Sequence, residues 1–293
     1  MKKKHILIIL LVICVIIGGV FYSKPNDDTS SLETSSSIND SINIINDFES
    51  PELNNTKTIR IYLPEGYDSS DKSYPVIYMP DGQNLFDAST ATYGKTWGVS
   101  DILDELTDED KIDGYIVIGI DSVDSTRTNE YNFLSGTSSA DPSGSQGGLG
   151  KYYSEFIVKT LKPYIDENYR TLTDKENTAI IGASYGAVIS LYTGIEYNDV
   201  FGVIGAFSYA SNVNTSGYTE YFTKNFNNEK IKDTNIYFYV GTNDFAYQSA
   251  NKLYKIATEN SLKNVYYKED NGVHDENSWR PMFKWIIESE NNL

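Results

Sequence analysis

The sequence predicts an α/β domain, a mostly parallel central sheet with helices on both faces. Three observations lead there. From about residue 58 onward, short apolar runs of strand type alternate with longer segments of helical period, the pattern of successive βαβ units. The pentapeptide Gly182-Ala183-Ser184-Tyr185-Gly186 stands between one such strand, Thr178–Ile181, and one such helix, whose Val188, Leu191, Tyr192 and Ile195 share a face. Ser184, Asp244 and His274 follow one another in that order, each just past the C-terminal end of a predicted strand.

The chain has 293 residues, of which 41 are acidic and 24 basic, for a formal net charge of −17. A phosphate backbone needs a cationic face, so nucleic acid is not an expected partner. The single cysteine, Cys14, leaves the rest of the chain without a disulfide or a thiol nucleophile. Residues 1–22 combine a basic start, Lys2-Lys3-Lys4, with the apolar run Ile6–Tyr22, and read as a membrane-directed segment. No small-residue cleavage site follows, and Ile13 is bulky where a lipoprotein signal before Cys14 would have a small residue. An uncleaved anchor is therefore favoured over a cleaved signal. Either way the lysines stay inside and the remainder acts outside the cytoplasm. Residues 23–50, rich in Ser, Asn, Asp and Thr, read as a flexible polar linker. Residues 51–293 form the predicted domain.

Within that domain Thr58–Leu63 alternates as an early strand, and Pro75–Met79 is apolar enough to be a central one. The latter leads into Pro80-Asp81-Gly82-Gln83-Asn84, where Gly82 allows the backbone to approach a ligand, or simply ends the strand. Trp97–Leu106 is helical and Tyr115–Ile120 a buried strand. Ser135–Gly150, Gly- and Ser-rich without periodicity, reads as a mobile loop, either a lid or a solvated insertion. Lys151–Tyr169 is one long amphipathic helix. After the Ser184 turn come strands Val203–Phe207 and Ile236–Val240, helix Ala246–Glu259, strand Val265–Tyr267 and helix Trp279–Glu288.

Strand, G-x-S-x-G and helix describe a nucleophile elbow, in which a tight turn lifts the serine hydroxyl clear of the sheet and small neighbours avoid a clash. The order Ser, Asp, His is that of the α/β-hydrolase fold. Only His5 and His274 occur, and His5 lies in the membrane-directed segment, so a histidine base in the domain has to be His274. Asp244, in the turn Gly241-Thr242-Asn243-Asp244, suits the acid that orients it; Asp270 and Asp275 are rivals by nearness in sequence. His274 would take the Ser184 proton as the hydroxyl attacks a carbonyl, with Asp244 holding the tautomer. The Tyr185 N–H and one from the Gly82-Gln83 turn would stabilise the oxyanion. With one histidine and no cysteine in the domain, neither a metal nor another cofactor is expected.

From about Thr56 to the C-terminus the chain resembles the esterase D-like "putative esterase" family of α/β-hydrolases, which includes enterochelin, feruloyl and acetyl-xylan esterases, S-formylglutathione hydrolases and mycolyltransferases. The resemblance is carried by Arg60–Pro64, Met79–Phe86, Ile157–Arg170, Thr178–Gly186, Gly241–Asp244, Gly272–His274 and Trp279-Arg280. It places the family's nucleophile, acid and base on Ser184, Asp244 and His274, and its oxyanion donors on the N–H groups of Gln83 and Tyr185. Asp81, Asn84, Arg127 and Trp279 are candidate substrate contacts. The family usually carries methionine after the serine; Tyr185 stands there and changes the bulk of the acyl pocket. The expected function is hydrolysis of a carbohydrate-linked acetyl or feruloyl ester, or of a siderophore ester. Alternatives are acyl transfer to a sugar hydroxyl and a non-catalytic binding role on the same scaffold.

Overall fold

The computed structural model describes residues 34–36, 41–137, 144–227, 229–260 and 262–290. They belong to one compact unit, Leu32–Leu293. The membrane-directed segment and the first part of the linker lie outside the described residues. No helix among those described is long and apolar enough to cross a membrane.

The centre is a sheet of nine strands among the described residues: β1 (Thr34–Ser36), β2 (Ile42–Ser50), β3 (Asn55–Tyr62), β4 (Val76–Pro80), β5 (Ile116–Ile120), β6 (Thr178–Ala183), β7 (Val203–Phe207), β8 (Asn235–Gly241) and β9 (Val265–Asp270). Their spatial order is β1-β2-β3-β5-β4-β6-β7-β8-β9. The pairs from β5 through β9 are parallel, whereas β1, β2 and β3 join antiparallel at one side. The fold class read from the sequence, a mostly parallel sheet of α/β-hydrolase type, is the one observed.

The continuous apolar strands are explained by burial on both faces. In β4, Val76 and Tyr78 point into one core and Ile77 and Met79 into the other. In β8, Ile236, Phe238 and Val240 alternate in the same way with Tyr237 and Tyr239. One face is covered by α1 (Val99–Asp108) and α8 (Glu276–Glu290), through Ile102, Leu103, Phe283 and Ile286. The opposite face is covered by α2 (Asp124–Tyr131), α3 (Gly150–Glu155), α4 (Lys162–Asn168), α5 (Tyr185–Glu196), α6 (Thr215–Asn225) and α7 (Tyr247–Glu259).

Three readings change. The linker assigned to residues 23–50 ends too late, because Ile42–Ser50 is a strand with Ile42, Ile45 and Phe48 buried. The single helix over 151–169 is α3 and α4 joined by a π-helical stretch, Phe156–Leu161, just before Pro163. Proline has no N–H to give the preceding turn, and the wider π turn absorbs the lost hydrogen bond. The described ends of the loop 135–150 are anchored: Gly136 and Gln146 exchange backbone hydrogen bonds of 2.9 and 2.8 Å, and Leu149 N–H reaches Asn129 O at 3.0 Å. Residues 138–143 lie outside the description.

Candidate active site

The sheet order sets the geometry. β6, β8 and β9 run parallel on one side of the sheet, so the segments after their C-terminal ends meet at one edge. Ser184 follows β6, Asp244 follows β8 and His274 follows β9.

Ser184 has φ 59° and ψ −125°, a conformation that non-glycine residues rarely adopt. Its N–H is tied to Phe207 O at 2.9 Å, and α5 begins at the next residue. The turn is this tight only because residue 182 is glycine: a Cβ there would sit 2.5 Å from the carbonyl oxygen of Gly186. The predicted elbow is the observed local structure.

Asp244 is 5 % exposed, and both of its carboxylate oxygens reach His274 Nδ1, at 2.9 and 3.0 Å. The Ala246 N–H donates to Oδ1 at 2.7 Å. Burial raises the acid's pKa, but hydrogen bonds from His274, Ser208 and the Ala246 amide outweigh it and hold the carboxyl below its ordinary value. The rivals are engaged elsewhere. Asp270 accepts from Tyr239 Oη at 2.7 Å and from Gly272 N–H at 2.8 Å, and Asp275 pairs with Lys95 Nζ at 2.6 Å. The His274 ring lies between Phe245, with centroids 4.1 Å apart, and the edge-on ring of Trp279 at 5.2 Å.

Ser184 and His274 open into one cavity of about 300 Å³, which also has Asp81, Gln83, Asn84, Arg127 and Trp279 in its wall. A second cavity of similar size, about 300 Å³, meets the first at Ser184, Arg127 and Phe245, and Tyr185 lines it. Tyr185 and Gln83 are first-turn residues, of α5 and of the short 3₁₀ turn Gly82–Asn84, so their N–H groups have no intrahelical acceptor. That 3₁₀ turn is pressed against β5: a Cβ at residue 82 would stand 2.6 Å from the carbonyl carbon of Gly119. The Gln83 side chain fastens it further, donating to Ser122 Oγ at 2.9 Å and accepting Ser122 N–H at 3.0 Å.

Asp81 and Arg127 form a bidentate pair, with both N–H···O distances 2.7 Å. Tyr131 Oη, buried behind them, accepts the Asp81 N–H at 2.9 Å. Burial opposes the Arg127 charge, and the Asp81 carboxylate more than restores it, raising its pKa overall. Trp279, expected as a substrate contact, also spends its indole N–H on Ser208 Oγ at 2.8 Å, which braces the Asp244 side of the site. Asn84 uses its side-chain oxygen to accept Thr92 N–H at 2.9 Å while still facing the cavity. Four further residues at the site, Tyr131, Ser208, Phe245 and Glu276, have no assignment from sequence. Ser208 carried the available signal, since it follows the last residue of β7.

The family described as "Putative esterase" matches residues 50–287. YbbA of Bacillus subtilis, an uncharacterised protein, is 28 % identical over 148 residues, covering 50 % of this chain and 54 % of that one. This chain thus spans about half the length of that relative. The endo-1,4-beta-xylanase/feruloyl esterase of Xylanibacter ruminicola is 29 % identical over 169 residues, 55 % of this chain and 20 % of that one. Among solved structures, the ferulic acid esterase AmCE1/Fae1A of Anaeromyces mucronatus superposes with a TM-score of 0.63 at 23 % identity, covering 89 % of this chain and 92 % of that one. The family match runs from the last residue of β2 into α8, and the chain therefore belongs to this family and has the α/β-hydrolase fold.

Proposed function

We propose that the chain is a serine carboxylesterase that works through an acyl-enzyme. Ser184 is the nucleophile, His274 the general base and then general acid, and Asp244 the acid that fixes the imidazole tautomer. One observation carries this reading: Nδ1 of the domain's lone histidine is held by both oxygens of a buried carboxylate, and its ring faces the cavity into which Ser184 opens. The imidazole must then present Nε2 to that cavity, the nitrogen that takes the serine proton. The N–H groups of Gln83 and Tyr185 receive the oxyanion, and each such donor is worth about 2.7–4 kcal/mol in the transition state.

The substrate is an acetyl or feruloyl ester of a carbohydrate, handled outside the cytoplasm. Similarity to a feruloyl esterase supports the acyl class, and the apolar run Ile6–Tyr22 supports the location. The acidic character of the chain counts against anionic iron–catecholate esters.

A fluorophosphonate should label Ser184 covalently, and Ser184→Ala should lose both the label and nearly all hydrolysis of p-nitrophenyl acetate while remaining folded. Labelling that persists in the variant would refute the assignment. Product analysis with feruloyl and acetyl sugar esters, comparing free acid with acylated acceptor, separates hydrolysis from transfer.

A further inference from the structure

The cavity wall contains a residue that the mechanism leaves unused. Glu276 is 3 % exposed and lines the Ser184 cavity at the first position of α8. Among the described residues no other side chain hydrogen-bonds to it; its own amide is the donor it has. The nearby cations are committed elsewhere. Lys95 is paired with Asp275 at 2.6 Å, and Arg127 is bound to Asp81 through two bonds of 2.7 Å. Burial, together with the charges of Asp275 and Asp81, outweighs its own amide and the more distant Lys95 and raises the Glu276 pKa, as expected of a carboxylate with no cation paired to it. The same wall is aromatic: Tyr93, Trp97, Phe245 and Trp279 line it, and Tyr93 and Phe245 are 81 % and 76 % exposed at its mouth. A buried carboxylate among aromatic faces is the chemistry that receives an ammonium group, through charge pairing and through the negative faces of the rings.

We propose that Glu276 is a charge-selecting residue of this esterase, favouring substrates that carry an ammonium group close to the scissile ester and disfavouring those that carry an anion there. This rests on the function proposed above. An ammonium supplies the counter-ion the site lacks, so binding recovers the penalty of the buried charge. A neutral polyol recovers it only through hydrogen bonds, and an anion adds to it.

The test compares acetyl esters that share an acyl group and differ in the charge of the alcohol: choline, its neutral isostere 3,3-dimethylbutanol, and 4-hydroxybutanoate. The expected kcat/KM for choline is at least about tenfold above the neutral ester, with the anionic ester below it, since one short-range ion pair beside aromatic faces discriminates on that scale. In Glu276→Gln the choline-to-neutral ratio should fall to within about threefold of one. The whole chain, at −17, also attracts cations at long range. Repeating the series in about 0.5 M sodium chloride removes that contribution and leaves the short-range one. A ratio near one in the unaltered protein, a preference lost in salt, or a preference unchanged in Glu276→Gln would each overturn the proposal. If the variant does not fold, the unaltered protein's ratio in salt decides, and less than about tenfold overturns it. Labelled protein that hydrolyses the neutral ester without charge preference refutes the Glu276 assignment alone. If none of the three esters is turned over, protection of Ser184 from the fluorophosphonate by choline against 3,3-dimethylbutanol gives the same comparison, and equal protection overturns the proposal. Failure of both labelling and hydrolysis refutes the esterase assignment of Ser184 along with it.

Discussion

Asp244 is proposed to orient His274, to which it is hydrogen-bonded, and it also contributes to the fold; the two roles can be separated by pH. Its folded-state pKa is depressed, so its stabilisation is fully present above the unfolded value of about 3.9 and is lost as pH falls through the lower folded value. The stability difference between wild type and Asp244→Asn should therefore be flat from about pH 5 to 8 and shrink below about pH 4. Urea midpoints across that range measure it, and a change centred near neutrality would implicate another group. Activity should respond at every pH. An amide there can donate where an acceptor is needed, and the resulting wrong tautomer costs about 10⁴ in kcat in a serine protease with the same three residue types. A loss of at least about a hundredfold is expected here, with circular dichroism unchanged. Asp270→Asn and Asp275→Asn should cost far less, because their carboxylates bind Tyr239 and Lys95 rather than the imidazole.

The Arg127–Asp81 pair is predicted to act on the rate constant rather than on binding alone. Asp81 holds the start of the turn that presents the Gln83 N–H, and Arg127 grips Asp81 through both carboxylate oxygens. Arg127→Met should lower kcat by about tenfold or more, a fraction of one oxyanion donor's worth, with KM changed less. Steady-state kinetics on a neutral acetyl ester tests this; a change confined to KM would make Arg127 a substrate contact only. Ser184 and His274 were readable as candidates because one sits in a motif and the other has no competitor in the domain. Glu276 was not, because its surroundings come from strands and helices far away in sequence, and Ser208 carried only its place after β7.

At the scale of elements, strands buried on both faces were the easiest to read, since an unbroken apolar run has few other homes. β2 was hidden for a specific reason. Its buried apolar residues, Ile42, Ile45 and Phe48, are spaced by three instead of two: Ile42 and Ile45 face opposite cores, and the register shifts between Ile45 and Phe48. Asp47 takes φ 52° inside that irregularity. A bulge inserts an extra residue and so erases the alternation by which strands are recognised. α2 and α6 were missed because their sequences are polar; α6 buries only Tyr218 and Phe222, one turn apart. β2 is nonetheless part of the fold. Phe48, 5 % exposed and edge-on to Phe156 and Tyr164, anchors it to the helical layer. Phe48→Ala should destabilise the domain by about 3–5 kcal/mol in urea unfolding. A loss below about 1 kcal/mol would mean that β2 is only loosely attached.

For the whole molecule, the decisive feature is the strand order. It brings residues 184, 244 and 274 to one edge, although 90 positions of chain separate the first from the last, and everything needed for that lies within Leu32–Leu293. A protein comprising residues 32–293 should fold and hydrolyse p-nitrophenyl acetate with the same kcat as the full chain. A matched kinetic comparison checks this, and a substantially lower value would assign the first 31 residues a role in catalysis. The sheet was legible at this scale because alternating strands and helices admit few arrangements. The antiparallel margin was not, since its first strands lie in a stretch whose composition resembles a linker.

The left-handed backbone at Ser184 has a consequence for how this protein can change over time. A residue held at φ 59° and ψ −125° costs on the order of 1–3 kcal/mol, and glycine would relieve most of it. Ser184→Gly also loosens the unfolded chain, which returns about 0.5–1 kcal/mol, so the net gain is on the order of 1 kcal/mol. For a domain of this size that raises the melting temperature by about 2–4 °C, readable by calorimetry. Drift towards greater robustness thus runs directly into loss of the proposed nucleophile. A lineage released from selection on the reaction would be expected to shed the serine early and keep the fold, leaving inactive descendants that melt higher than their ancestor.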